Sequence, residues 1–512
     1  MIKPYFIPEE VTPVSLEQLK SYLWGAAVLL RGQIDATSYK EYIFPLLFFK
    51  RLCDVYDEET RDSLRLSEGD VEYANQRDQH RLDIPEDAHW RDVRQQTEDI
   101  GQALVAALIR IEQANPPIEI GGRMVGGLTG IFGEKRIWTN KDVIPDRLLS
   151  DLLEHFSTLT LSLAACPADE MGTGYEYLVG RFADDAGHTA QEFYTNRTVV
   201  DLMAELLRPE PGESIYDPTC GSGGMLIKCL TSLKDQKREW RGVKVFGQEL
   251  NALTAMIARM NLFLHDVEDF TIVNEDTLTA PAFIEHGHLK QFDIVLANPP
   301  YSIKQWNREA FSNDKYGRNI LGTPPQGRAD YAFFQHIICS LKPDTGRCAI
   351  LFPHGVLFRK EEKDMREKLI KSDLIECVIG LGANLFFNSP MEACIIICRT
   401  KKHQKQKGKI LMINAAKELT RKNAESFLED KHIKKIADAY HGYLEVDDFS
   451  RSISQDEIKL KDYSLNISLY VRSELNTIKE DEILDVNESV DEWVDSRGSL
   501  HESMNKLINL VR

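Results

Sequence analysis

Apolar positions in the first third of the chain recur with a helical period. Leu16, Leu19, Leu23, Ala27 and Leu30 fall on one face, and Ile43, Leu46, Leu47, Leu52, Val55 and Tyr56 continue the pattern, at the three- and four-residue steps that one side of a helix requires. This spacing predicts a helical domain over residues 1–165 with no chemistry of its own. From about Met171 the pattern changes. Short β-rich runs now alternate with helical segments, as in a mostly parallel sheet covered on both faces. Strands are predicted at Ser214–Asp217, Lys244–Glu249, Phe270–Asn274, Phe292–Ala297, Cys348–Phe352, Ile375–Ile379 and Ala393–Cys398, with helices at Thr198–Leu207, Gly224–Leu233, Ala252–Leu264, Ala329–Leu341 and Glu361–Ile370. The fold class is therefore α/β: a doubly wound, seven-stranded, Rossmann-like domain over residues 166–415. Residues 416–512 turn polar and read as a helical, acidic tail. Carboxylates crowd Glu480–Asp495, and Leu500, Met504, Leu507, Ile508 and Val511 then form one apolar helical face. Such a helix suits docking on another subunit or on the chain's own N-terminal domain.

Charge and composition narrow the function. The chain has 62 Lys+Arg against 80 Asp+Glu, a net charge of −18. That balance argues against gripping DNA alone, because phosphate attraction supplies most non-specific affinity. No apolar run reaches the ~18 residues of a membrane span, and Met1–Glu10 lacks the apolar core of a signal peptide. The nine cysteines form an odd set with no CxxC pair, so a reducing, cytoplasmic setting is expected. Cys394 and Cys398 read as strand core, and His188 and His354 lack metal-ligand spacing, so no metal is expected.

Three motifs carry chemistry. The first, Ile215-Tyr216-Asp217-Pro218-Thr219-Cys220-Gly221-Ser222-Gly223-Gly224, runs from a strand through a glycine-rich turn into a helix. Glycines let a ligand approach the backbone, and the helix start adds free N–H groups and a positive dipole end. Leu226 stands where a dinucleotide-binding loop needs its third glycine, and no Gly-Lys-Ser/Thr follows. The turn therefore suits a nucleoside without a pyrophosphate. Second, Glu249 ends the next strand, where an acid can accept both ribose hydroxyls, and Asp276 follows the third, within reach of an adenine amino group. Third, a buried strand delivers Asn298-Pro299-Pro300-Tyr301 to the same edge. The Asn298 side-chain oxygen and the Pro299 carbonyl can accept from one –NH₂ group and draw it out of planarity, while Tyr301 offers a π-face to a planar ring.

Asp-Pro-x-x-Gly-Ser-Gly-Gly followed by Asn-Pro-Pro-Tyr resembles the amino-group DNA methyltransferases that use S-adenosylmethionine. A wider set resembles the modification subunit of type I restriction-modification systems: Phe49-Lys50-Arg51-Leu52, Gly174-Tyr175-Glu176-Tyr177-Leu178, Glu192-Phe193-Tyr194-Thr195, Val199-Val200-Asp201-Leu202-Met203, Pro353-His354-Gly355-Val356-Leu357-Phe358-Arg359, Gly380-Leu381-Gly382-Ala383-Asn384-Leu385-Phe386 and Asp462-Tyr463-Ser464-Leu465-Asn466. The resemblance implies that residues 166–415 are an S-adenosylmethionine-dependent methyltransferase domain. It implies cofactor contacts from Glu192, Phe193, Tyr194, Thr195, Asn196 and Arg197, from Gly221, Ser222, Gly223 and Gly224, and from Asp217, Glu249 and Asp276. Asn196 departs from the family's proline. Implied catalytic residues are Asn298, Pro299, Pro300 and Tyr301, acting on the exocyclic amine of a flipped adenine. Implied partners are DNA, a specificity subunit that reads it, a second copy of the modification subunit and an endonuclease subunit, with no membrane. The polar stretch between Tyr301 and Asp330, with Lys304, Trp306, Asn307, Lys315, Arg318 and Arg328, could close over a flipped base but is too short for an independent base-reading domain. The alternatives are methylation of a protein glutamine, which also uses Asn-Pro-Pro-Tyr, and a non-catalytic scaffold of a defence complex.

Overall fold

The structure is a computed structural model that describes residues 12–120, 123–185, 195–267, 269–383, 385, 392–422 and 425–471. The N-terminal part is helical, as the periodicity predicts. Its main elements are α1 (Leu16–Leu30), α2 (Tyr39–Leu66), α3 (Ile100–Ala114), α4 (Asp146–Phe156) and α5 (Ala168–Asp185). Ser15 and Gln18 cap α1 reciprocally, and of its predicted face Leu19, Leu23, Ala27 and Leu30 are buried and Leu16 half-buried. The Phe49-Lys50-Arg51-Leu52 motif has an internal task. Buried Arg51 donates to the carbonyls of Ser162 at 2.9 Å and Cys166 at 2.7 Å, while Glu58, two turns on, accepts from Leu163 N and Ala164 N at 2.6 and 2.8 Å. The segment leading into α5 thus has its backbone groups satisfied by α2, as burial demands.

The second part begins with α6 (Arg197–Leu207), α7 (Gly224–Asp235) and α8 (Ala252–Leu264), interleaved with strands β1 (Ser214–Asp217), β2 (Lys244–Glu249) and β3 (Phe270–Asn274). There follow β4 (Ile294–Ala297), α9 (Asp330–Cys339), β5 (Arg347–Pro353), α10 (Lys363–Lys371), β6 (Ile375–Leu381), β7 (Ala393–Arg399), β8 (Lys409–Ala415), α11 (Asp430–Gly442) and β9 (Ser450–Ser454). The strands form one sheet in the order β9-β8-β6-β7-β5-β4-β1-β2-β3. Pairs from β3 through β5 are parallel, and β7 is antiparallel to both β5 and β6. Helices cover both faces. Ile215, Ile294, Leu296 and Leu351 pack with α6, α7, α8 and α11, while Tyr216, Val295, Ile350 and Phe352 pack with α9 and α10. The strand alternation in burial is the doubly wound pattern.

The sheet has nine strands where the sequence predicts seven. The predicted seven are all present. The additions are β8, which follows the basic stretch Arg399–Lys409, and β9, Ser-Arg-Ser-Ile-Ser, in which only Ser450 and Ile453 are buried. A short polar edge strand guards against edge-to-edge pairing and so lacks the apolar alternation that betrays a strand. Residues 450–454 are therefore part of this sheet, and the described residues after them pack on its domain rather than forming a separate tail: Leu465 N donates to Leu357 O at 2.8 Å and Arg366 to Tyr463 O at 2.8 Å. The acidic run and the terminal amphipathic helix lie outside the described residues.

The two parts share a core through α8. Its Met256, Ile257, Met260 and Leu264 pack with the N-terminal helices, Arg259 donates to Gly130 O at 3.0 Å, and Tyr175 OH to Ile257 O at 3.3 Å. Gly172 lets α5 lie against the buried His265 ring, where an added Cβ would come within 2.2 Å of Nε2.

Candidate active site

In a parallel sheet the strand ends share one edge, and the order reverses between β1 and β4, so a crevice opens where their chains diverge. Asp217 ends β1, Glu249 ends β2, Asp276 follows β3 and Asn298 follows β4, which places all four predicted residues on that edge.

The glycine turn is held from all sides. Gly221 and Gly223 have φ of +53° and +81°, which explains glycine there, and Gly223 caps α7. Cys220 N donates to Gln248 O at 3.0 Å, Thr277 Oγ1 to Pro218 O at 2.5 Å and Asn261 Nδ2 to Ser222 O at 3.0 Å. The Glu249 carboxylate accepts from Gly221 N at 3.0 Å and Asn251 N at 2.9 Å. Asn261 and Thr277 brace the turn and are missed by pattern reading. The available signal is a polar residue in the apolar run Met260-Asn261-Leu262, which only a specific hydrogen bond justifies at full burial. Asp276 binds its own turn, accepting from Leu278 N at 2.9 Å and Thr279 Oγ1 at 2.8 Å.

Asp217 is wholly buried, with Oδ1 accepting from Thr219 N at 2.9 Å and Oδ2 receiving no hydrogen bond from the described residues. Burial pushes its carboxyl up to about 8, with the Thr219 hydrogen bonds opposing and the Glu249 charge adding to the rise. An unfolded Asp titrates at about 3.9. The folded state therefore loses stability relative to the unfolded as pH rises between those values, and nothing more above them. Asp217→Asn should accordingly melt higher than the wild type at pH 8, with the advantage shrinking towards pH 4–5. Parallel melting curves over that range would refute this reading of the carboxyl.

Asn298 is fixed by its own amide. Nδ2 donates to Thr195 Oγ1 at 2.8 Å, leaving Oδ1 buried and without a hydrogen bond from the described residues. The structure thus brings Thr195 beside Asn298. Asn196, in place of the family's proline, caps α6 through Thr198 N at 3.0 Å and donates to Ser426 O at 3.1 Å. The departure supplies tethers of its own. Arg197 is exposed and pairs with Glu176 at 2.9 Å. Glu192, Phe193 and Tyr194 lie outside the described residues. Pro299 is buried, and Pro300 and Tyr301 are half-buried; burial, then the nearby Cys394 and Asp330, holds the Tyr301 hydroxyl far above its ordinary value, so it stays protonated.

The stretch after Tyr301 is more structured than its polarity suggests. Phe311 packs with Leu278, Ala329, Ala332 and Phe333 in a small core of its own. Arg318, read as part of a polar loop that could close over a flipped base, is buried and pairs with Asp314 at 2.5 Å, donating also to the carbonyls of Thr277 and Leu278 at 2.9 and 2.8 Å. Lys304, Asn307 and Lys315 remain exposed. Among the described residues no group of three or more His, Cys, Asp or Glu could hold a metal ion, and no helix is long and apolar enough to cross a membrane.

Comparison with known proteins agrees with this geometry. Residues 167–480 match the family described as N-6 DNA Methylase, and residues 19–156 match the HsdM N-terminal domain. The chain is 31% identical over 533 residues to the type I restriction enzyme MjaVIII methylase subunit of Methanocaldococcus jannaschii, covering 99% of this chain and 84% of that one. It is 28% identical over 529 residues to the MpnII methylase subunit of Mycoplasma pneumoniae, covering 96% and 95%. Among solved structures, the methyltransferase subunit of a type I restriction-modification system from Streptococcus thermophilus superimposes with a TM-score of 0.74 at 29% identity, over 89% of this chain and 100% of that one. With Asn298 and the glycine turn meeting at the switch point of the sheet, the chain belongs to the N-6 DNA methylase family: it is a DNA adenine methyltransferase of the type I restriction-modification methylase subunits.

Proposed function

We propose that this subunit transfers the methyl group of S-adenosylmethionine to N6 of an adenine flipped out of duplex DNA, in a complex where a separate specificity subunit reads the sequence. The observation that carries the reading is the Asn298 amide, whose Nδ2 is anchored on Thr195 while Oδ1 is buried with no hydrogen bond from the described residues. A buried acceptor with no partner is costly, and a target amine removes that cost. The crevice suits the cofactor: a braced glycine turn, an Asp217 oxygen with no hydrogen bond from the described residues and the Glu249 carboxylate stand where a nucleoside needs donors and acceptors.

When bound, S-adenosylmethionine supplies an already electrophilic methyl group. The protein's work is then positioning and polarisation. Glu249 would accept the ribose hydroxyls, and Asp276 would meet the adenine amino group of the nucleoside. Asn298 Oδ1 and the Pro299 carbonyl accept the two N–H groups of the adenine amine, which draws the nitrogen towards tetrahedral geometry and exposes its lone pair. The Tyr301 ring stacks on the flipped base, whose extrusion is required because the amine is engaged in the duplex. Mapping methylated adenines in cells with and without the gene tests the activity directly.

We further propose the division of labour expected from the sequence. Residues 1–165 and the end of 416–512 dock on the partners: the specificity subunit, a second copy of this subunit and an endonuclease subunit. Residues 166–415, extended by the strand at Ser450–Ser454, carry the chemistry. With a net charge of −18, the purified chain should bind duplex DNA weakly and without sequence preference, and gain tight binding only with the specificity subunit. Deleting the residues after Asp495 should reduce co-purification with that partner and spare cofactor binding. Gel-shift titration at stated salt checks this; site-specific binding by the single chain at about nanomolar Kd would show a reader within it.

A further inference from the structure

Behind the Asn-Pro-Pro-Tyr segment lies a buried ionic cluster to which the mechanism above gives no role. Asp330, the first residue of α9, is wholly buried. Its Oδ1 accepts from Ser302 N at 2.9 Å and its Oδ2 from Arg359 Nη1 at 2.7 Å. Arg359 Nη2 in turn donates to Ser302 Oγ at 3.4 Å. Ser302 directly follows Tyr301 and has a φ of +51°, a left-handed conformation that a serine holds only when its surroundings impose it. The imposing groups are this carboxylate and this guanidinium.

We propose that Asp330 and Arg359 act as a positioning pair that fixes the Tyr301–Ser302 turn, and through it the Tyr301 ring, for methyl transfer. The seat of the guanidinium is built for it. Gly355 leaves room where an added Cβ would lie 2.4 Å from Arg359 Nε, and Arg366 Nη1 holds the Arg359 carbonyl at 3.0 Å. A second buried acid, Glu362, stands 3.6 Å from Arg359 Nη1. Asp330, at 2.7 Å, keeps the pairing, and burial pushes Glu362 up to about 7, with Arg359 opposing. The pair also joins two segments far apart in the chain: the turn after β4 and the loop after β5. The inference rests on the proposed function, because it assigns Tyr301 a substrate-facing ring.

The test uses the methyltransferase complex carrying Asp330→Asn, Arg359→Met or both. Cofactor affinity is read by calorimetry, and kcat and KM for DNA by transfer of a tritiated methyl group. Each single variant should lose about tenfold or more in kcat, since a misplacement of about 1 Å far from the chemistry can cost up to about 10²-fold. Affinity for S-adenosylmethionine and KM for DNA should stay within about twofold of wild type. The double variant should be no slower than the slower single one, since each removes the same clamp, and Arg359→Lys should recover part of the rate. Gly355→Ala displaces the guanidinium without deleting a buried charge and should show the same kcat loss, which decides the matter if Asp330→Asn does not fold. Folded variants with wild-type kcat would overturn the proposal, as would kcat losses matched by equal losses of cofactor affinity, the mark of a purely structural pair. A wild-type complex that methylates no adenine would overturn the proposed function first, and the positioning role with it.

Discussion

Asn298→Ala should leave the affinity for S-adenosylmethionine nearly intact while lowering methyl transfer by about 10²-fold or more, the usual loss when one preorganised polar contact to the reacting group is removed. The glycine turn, Glu249 and Asp217 lie on β1, β2 and the turn between β1 and α7, whereas Asn298 follows β4. Truncating the side chain deletes the buried Oδ1 acceptor and frees Thr195 Oγ1, its present partner at 2.8 Å. Neither change reaches the braces of the glycine turn, which come from Gln248, Asn261, Thr277 and Glu249. Calorimetry and a tritiated-methyl assay on one preparation separate the two effects. A variant that binds cofactor and turns over like wild type would remove Asn298 from the chemistry.

How far the sequence reveals this site depends on whether a residue acts through its neighbours in the chain or across it. Asp217, the glycines, Glu249 and Asn298 are legible because each closes a strand with a local pattern, and a parallel sheet carries strand ends to one edge regardless of the loops between. The same reasoning finds β1 to β7, most of which carry apolar runs buried on both faces. It misses β9, where burial selects only Ser450 and Ile453, and β8, whose buried run Ile410–Ile413 directly follows a basic stretch. Arg318 misleads for the opposite reason. In a polar stretch an arginine reads as a surface group, yet here Asp314 and two backbone carbonyls satisfy it inside the protein. Asn261, Asp330 and Arg359 escape because their partners, Ser222 and Ser302, are 28 or more positions away. Hydrogen bonds of that kind leave no periodic trace. The family's motif around Gly355 and Arg359 is visible in the sequence, but the reason for its glycine appears only when the guanidinium is seen lying against it.

Glu249→Ala should do the reverse of Asn298→Ala, and for two physical reasons rather than one. As a charged acceptor for the ribose hydroxyls it is expected to contribute roughly 1.5–3 kcal/mol, about 10- to 150-fold in Kd. It also holds the glycine turn in shape, because the same carboxylate accepts from Gly221 N at 3.0 Å and from Asn251 N, at the start of α8, at 2.9 Å. Alanine loses the ligand contact and leaves Gly221, already in a left-handed conformation, without its partner. The loss should therefore fall towards the upper end of the range. Glu249→Gln separates the two contributions: one amide oxygen can still accept, but the –NH₂ group opposes a donor on the other side, so its affinity should fall between wild type and alanine. Since Asn298 and the Asp330–Arg359 pair lie on other elements, kcat at saturating cofactor should stay close to wild type in both variants. Titration calorimetry for Kd and initial rates at high cofactor provide the measurement. Unchanged affinity in Glu249→Ala would mean that the nucleoside does not lie along the β2 edge, and a collapse of kcat at saturation would mean that the carboxylate serves the transfer step itself.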